Sequence, residues 1–249
     1  MAEAQRLFSS RVAWSVFDRV FRPWMRGRVR VHIAGRPGSV EPSFPLVLVA
    51  NHESWWDGFL LREVQRRLRP KARFHAVMLE RELAPRPFLR FLGGLGLEPT
   101  SLASNRRLIR TLDRLRVEDP TGVLAYFPQG VTRPGTPGPL AFRNGVIRVA
   151  EALAPATVLP VGLRLLPGVT SRFEAYLSVG SPLAVPGPGT LSLPLLEGAV
   201  AEEVEAIRAF VARHGEAAPQ RFPRLPLPLP RAPEQPPLLD DVRSWISRN

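Results

Sequence analysis

The chain has 249 residues, 45% of them hydrophobic, and carries 34 Lys and Arg against 22 Asp and Glu for a formal net charge of +12. That length suffices for one substantial α/β domain with appendages, and the charge favours an anionic partner: nucleic acid, a negatively charged membrane surface or an acidic substrate. The absence of cysteine excludes disulfides, thiol nucleophiles and thiolate metal sites. In the first thirty residues Trp14, Phe17, Phe21 and Trp24 recur at steps of three and four, among seven arginines opposed only by Glu3 and Asp18. Residues 1–28 therefore read as an amphipathic helical segment. Its aromatics lie either at an acyl boundary with the arginines among anionic headgroups, or against the chain's own core. Pro23 is expected to end or bend this helix near Arg22, because proline lacks an amide proton and clashes with the preceding turn. No stretch approaches the roughly 18 apolar residues of a transmembrane helix, and no apolar signal-peptide core stands at the N-terminus.

From there the chain alternates short apolar runs with helical periodicity, as a βαβ protein does. "RVRVHIAG", "FPLVLVA", "RFHAVM" and "GVLAYF" read as strands, and Trp56 to Leu68 as a helix. A short helical stretch carries Phe88, Phe91 and Leu92. A longer helix is expected from Ser104, with Leu108, Leu112 and Leu115 on one side. "PQGVTRPGTPGP" is a loop, followed by a helix from about Asn144 to Leu153, the strands "TVLPVGL" and "RFEAYLSVGSPL", and a helix near Glu197 to Arg213. Pro160 and Gly162 are expected to shape a backbone turn, while His32, His75 and His214 show no partner pattern. The reading is an α/β fold: a single mixed, partly parallel sheet flanked by helices over residues 29–215, followed by a tail over 216–249 that is proline-rich from Pro219 to Pro237.

One stretch carries chemistry. "NHESWWDGF", residues 51–59, places His52 at the end of a strand and Asp57 five residues later, in the first turn of the next helix. A neutral imidazole, with its ordinary pKa near 6.5, accepts a proton at neutral pH and returns it in the next step. One ring nitrogen faces the hydroxyl to be activated while the other donates to a carboxylate that fixes the tautomer. By spacing alone, a loop histidine beside a helix-capping aspartate is the better reading. Trp55 and Trp56 either line an apolar channel or fill core and rim. Metal spacing of the His-Glu-x-x-His kind is absent, as are a Gly-x-Ser-x-Gly nucleophile elbow and the motifs of nucleic-acid readers, which argues against nucleic acid as a partner.

"NHESWWDGF" resembles the Asn-His-x-Ser-x-x-Asp block of the glycerolipid acyltransferases, the lysophospholipid and 1-acylglycerol-3-phosphate acyltransferase family, with Asn51, His52, Ser54 and Asp57 all matching. "YFPQGVTRPG" resembles that family's Phe-Pro-Glu-Gly-Thr-Arg block, "LAFRNGVIRVA" the helix start after it, "VLPVGL" its Ile/Val-x-Pro-Val block and "LSVGSPL" the strand end beyond. The likeness spans about residues 29 to 185. It implies transfer of a fatty acyl group from a thioester of coenzyme A or acyl carrier protein to a lysolipid hydroxyl, lysophosphatidic acid first. His52 would act as general base with Asp57 orienting it, no resident cofactor would be needed, and the protein would sit on the cytoplasmic face of the cell membrane against its anionic surface. Asn51, Ser54, Gln129, Gly130 and Arg133 are the implied substrate-binding positions, and backbone amides around "PQGV" are candidates for holding the oxyanion.

Departures from the pattern bear on the acceptor. Gln129 stands where the family has glutamate, so a role demanding a carboxylate is lost while a hydrogen-bonding role survives. Val131 is an apparent insertion that moves Arg133 one place along. In "LGLEPTSLASNRR" Gly96 offers the family's glycine, but its arginine falls near Ser101; Arg106 or Arg107 either compensates or belongs to a solvated helix face. The alternatives are a different hydroxylated lipid, such as a lyso-aminolipid or glycolipid, or a non-catalytic lipid-binding relative. The intact His52 and Asp57 pair stands against the last.

Overall fold

The structure, a computed structural model, describes residues 11–225 except 36, 38–39 and 136–137. It opens with α1 (Arg11–Arg28), β1 (Val29–Gly35), β2 (Leu46–Ala50), α2 (Asp57–Leu68) and β3 (Phe74–Leu79). Next come α3 (Glu80–Leu83), α4 (Phe88–Phe91), β4 (Gly94–Leu97), α5 (Leu102–Glu118), β5 (Val123–Tyr126) and α6 (Gly145–Ala152). Finally there are β6 (Ala156–Pro167), β7 (Phe173–Val179), β8 (Leu183–Val185), α7 (Leu193–His214), a 3-10 turn Gly215–Ala217 and α8 (Ala218–Arg221).

The strands form one sheet in the order β1-β7-β6-β2-β5-β3-β4, with β8 beside β6. Strands β6, β2, β5, β3 and β4 run parallel, whereas β7 and β8 pair antiparallel with β6. A parallel strand covered on both faces is apolar throughout, and β2 obeys this: all five residues of LVLVA are buried. Their side chains alternate between two cores, as a period of two requires. Leu46, Leu48 and Ala50 join Trp14 of α1 and Leu60, Leu61 and Val64 of α2. Val47 and Val49 join Leu108, Leu112 and Leu115 of α5, Val146 of α6 and Val200 of α7. The mixed sheet flanked by helices agrees with the sequence reading.

Several local expectations are corrected. Helix α1 does not end at Arg22 but continues through Pro23 to Arg28. Tertiary contacts offset the lost amide: Met25 is buried, Trp24 packs on Trp56 with ring centroids 5.4 Å apart, and Arg22 grips Glu63 of α2 with bonds of 2.6 and 2.8 Å. Helix α5 is capped by Ser101, whose side chain accepts from Ser104 N, so Ser104 lies inside the first turn. Pro160 and Gly162 lie within β6 and form no turn. Gly162 marks a close approach of α7: a Cβ there would stand 2.5 Å from the backbone of Glu203 and Val204. His32 does have a partner, its Nε2 lying 2.7 Å from Glu174 Oε2.

The chain past residue 215 continues onto the body. Ala218, Phe222 and Leu225 are buried, and Leu225 N donates to Ile33 O at 2.8 Å. The tail, expected to be extended from Pro219, instead begins within the helical α8, and its part from 226 onward lies outside the described residues.

Candidate active site

Because β2 and β5 are parallel neighbours, the segments that leave them emerge together at the carboxyl edge of the sheet, the edge where open α/β sheets place their ligands. One segment is Asn51 to Trp56 and the other is Phe127 to Arg133. The motif residues are thus brought together by strand order.

The His52–Asp57 pair is formed. His52 Nδ1 lies 2.7 Å from Asp57 Oδ2, and Asp57 is fully buried as the first residue of α2. Asp57 organises the whole turn: Oδ2 also accepts from Glu53 N at 2.6 Å and Ser54 N at 2.8 Å, and Oδ1 accepts from Ser54 Oγ at 2.5 Å. A carboxylate only accepts, so Nδ1 must carry the proton toward it. In the neutral ring Nε2 is then left with its lone pair. The helix N-terminus and the backbone donors supply positive potential to the Asp57 charge. The imidazole stacks on Phe127 with centroids 4.5 Å apart and planes inclined by 22°, and remains partly exposed. Packing and one carboxylate thus hold the imidazole in one orientation, an arrangement that can serve a general base.

The surrounding residues fix the loop. Asn51, buried, donates from Nδ2 to Leu163 O and accepts from Leu163 N, both at 2.8 Å, extending β6 pairing one residue past the end of β2. Ser54 holds Asp57 and accepts from Trp56 N at 3.1 Å. Gln129, only 4% exposed, accepts the His52 amide on Oε1 at 2.6 Å. Gly130 takes φ of +66°, a left-handed value that suits glycine, and its N donates to Phe127 O at 3.2 Å. Arg133 donates its backbone N to His52 O at 2.7 Å, while its side chain is exposed. The inserted Val131 therefore leaves the loop in direct contact with the histidine. Trp55 stands half exposed over Phe21 at 6.0 Å and Trp56 packs against the core. Arg106 and Arg107 are exposed on α5.

Sequence reasoning missed Glu53 and Arg164. Glu53 Oε1 pairs with Arg164 at 2.9 Å and Oε2 accepts from Leu165 N at 2.9 Å, a second clamp between the loop after β2 and β6. Burial pushes the Glu53 pKa up, with Leu165 N and Arg164 opposing it. Asn51 and Glu53 reach β6 from alternate positions, so the His52 ring projects to the other side of the loop. Behind it a cavity of about 170 Å³ is lined by Asn51, Glu53, Gln129, Arg133, Arg164 and Arg208, among others. Glu53 stood inside the motif as a variable letter, and only the β2–β6 pairing reveals its partner.

A model of the acyltransferase family matches residues 29–164, more than half of the chain and inclusive of both segments of the site. The chain belongs to the acyltransferase family. Among solved structures, this acyltransferase is similar in fold to the 1-acyl-sn-glycerophosphate (LPA) acyltransferase PlsC from Thermotoga maritima. The TM-score is 0.51 at 20% sequence identity, over 78% of each chain. No curated protein sequence matches it.

Proposed function

We propose that this acyltransferase moves a fatty acyl group from a thioester of coenzyme A or acyl carrier protein to a hydroxyl of a lysolipid, lysophosphatidic acid first among acceptors. The observation that carries the reading is the His52–Asp57 pair at 2.7 Å, held at the carboxyl edge of the sheet beside Gln129 and Arg133. His52 Nε2 takes the acceptor hydroxyl's proton as that oxygen bonds to the thioester carbonyl carbon. The tetrahedral adduct then expels the thiolate, which takes the proton from the imidazolium. Asp57 stabilises that imidazolium between the two transfers, and no covalent enzyme intermediate is needed. The amides of Gly130 and Arg133 are committed to Phe127 O and His52 O, so oxyanion donors must come from elsewhere at the site. The exposed guanidinium of Arg133 suits an anionic headgroup.

The location we propose is peripheral, on the cytoplasmic face of the cell membrane. The support is not the aromatic face of α1, which largely packs on α2 through Phe17, Phe21 and Phe59. It is the stripe of Val12, Val16 and Val20, 73%, 61% and 71% exposed, with Trp24 and Trp55 also exposed. No described helix is long and apolar enough to cross a membrane.

The test is thioester consumption against a panel of phosphate-bearing and phosphate-free lysolipids. Turnover with lysophosphatidic acid supports the reading in full, turnover only with lyso-aminolipids or glycolipids moves the acceptor, and no turnover with any lysolipid overturns it.

A further inference from the structure

Away from His52, α1, the last turns of α2 and the turn into β3 enclose a groove of about 400 Å³. Arg66 lies nine residues beyond Asp57 on α2, about 13 Å along the helix axis at 1.5 Å per residue. The groove is lined by Trp14, Asp18, Arg62, Arg66, Lys71 and Arg73 among others. Four cations thus converge where one carboxylate is available. Asp18 Oδ2 takes both Arg66 and, at 3.4 Å, Arg62. Lys71 and Arg73 stand exposed with no acidic partner among the described residues.

The floor of the groove is built rather than incidental. The Arg62 guanidinium lies over the Trp14 ring, 4.4 Å from its centroid, and donates to Gln65. Arg62 Nε and Trp14 Nε1 are both buried without a hydrogen-bond partner. Burial pushes the Arg62 pKa down and Asp18 opposes this only in part, so an added anion would stabilise the cation. The excess of three positive charges suits a dianion, and forked guanidiniums beside an ammonium suit phosphate oxygens.

We propose that this groove is a phosphate-binding site, taking the phosphate group of a soluble phosphate ester. Its orientation selects the soluble source over a lipid headgroup. At 100° per residue, Trp14 and Asp18 lie on the side of α1 turned away from Val12, Val16 and Val20. A bilayer lying on the valine stripe faces away from the groove. A bound phosphate meets α1 through the donor Trp14 Nε1 and α2 through Arg62 and Arg66, and so ties the N-terminal helix to the body.

The experiment uses inorganic phosphate as probe on the full chain, with chloride at matched ionic strength as reference. Phosphate raises Tm in the wild type, while the Lys71→Ala, Arg73→Ala double variant needs about ten-fold or more phosphate for the same rise, having lost two charge-assisted contacts. Arg133→Ala, at the acyl-transfer site, keeps the wild-type response, which separates this proposal from the proposed activity. Vesicles of phosphatidylcholine with phosphatidylglycerol bind wild type and double variant alike. The proposal is overturned if phosphate acts no differently from chloride, if the response is lost with Arg133, or if the double variant loses vesicle binding while keeping the phosphate response.

Discussion

Replacing Gln129 with leucine tests how the site holds His52. Oε1 of Gln129 is the acceptor for the His52 amide at 2.6 Å, in surroundings where Gln129 is 4% exposed. Leucine keeps most of the volume and removes the acceptor, leaving a donor next to the His52 ring unpaired. An orphaned buried donor costs about 1–3 kcal/mol. Where that strain is relieved by rotation of the His52 loop, the same energy appears in the barrier, about 5- to 150-fold in turnover. Gln129→Glu retains an acceptor oxygen at the same place and should stand well above the leucine variant, although a buried carboxylate joins Glu53 at the same cavity. The assay is the initial rate of thiol release from a long-chain acyl thioester with a saturating lysolipid, alongside thermal melts. Equal turnover in wild type and Gln129→Leu refutes the reasoning, as does a folded Gln129→Glu protein no better than the leucine variant.

Asp57→Asn should lower kcat by about three to four orders of magnitude, as loss of a triad carboxylate does, with KM nearly unchanged; steady-state kinetics check this. Gly162→Ala should lower Tm by the equivalent of about 1–3 kcal/mol or more, since its Cβ meets the α7 backbone at 2.5 Å. Arg22→Met should destabilise by about 1–3 kcal/mol near neutral pH, discounted for the partial exposure of Arg22, because it strands Glu63. Burial raises the Glu63 pKa, but Arg22's hydrogen bonds and the charges of Arg22, Arg26 and Arg66 carry it below the ordinary 4.5. That stabilisation is present above the ordinary carboxylate pKa and lost as pH falls through the depressed value, so the Tm gap between wild type and variant should close under acid. Serine at Val12, Val16 and Val20 should weaken liposome binding while leaving Tm and turnover of a short-chain acceptor unchanged, measured by co-sedimentation.

What was legible in the sequence was local. His52 and Asp57 are five residues apart, and a strand end followed by a helix start suffices to bring them together. The buried strands announced themselves as apolar runs because a covered parallel strand has no polar face, as β2 shows. Contacts closed by the sheet were invisible. Asn51 with Leu163 and Glu53 with Leu165 are each 112 residues apart, and their bonds exist only because β2 pairs with β6. The acceptor role of Gln129 toward His52 needs β5 beside β2 in the same way. Local rules also misled where packing overrode them: Pro23 did not stop α1, because Met25 and the Arg22–Glu63 pair hold the final turns down. The "VLPVGL" block suggested a turn from its proline and glycine, whereas the glycine admits a helix onto the sheet and the proline sits within β6, paired with Val49.

The most direct measurement is thioester-dependent acylation of a lysolipid by His52→Ala protein whose circular dichroism and melt match the wild type. With His52 as the base that takes the hydroxyl proton, acyl transfer falls by several orders of magnitude, at every pH at which the protein stays folded. Wild-type turnover by the folded variant contradicts the account.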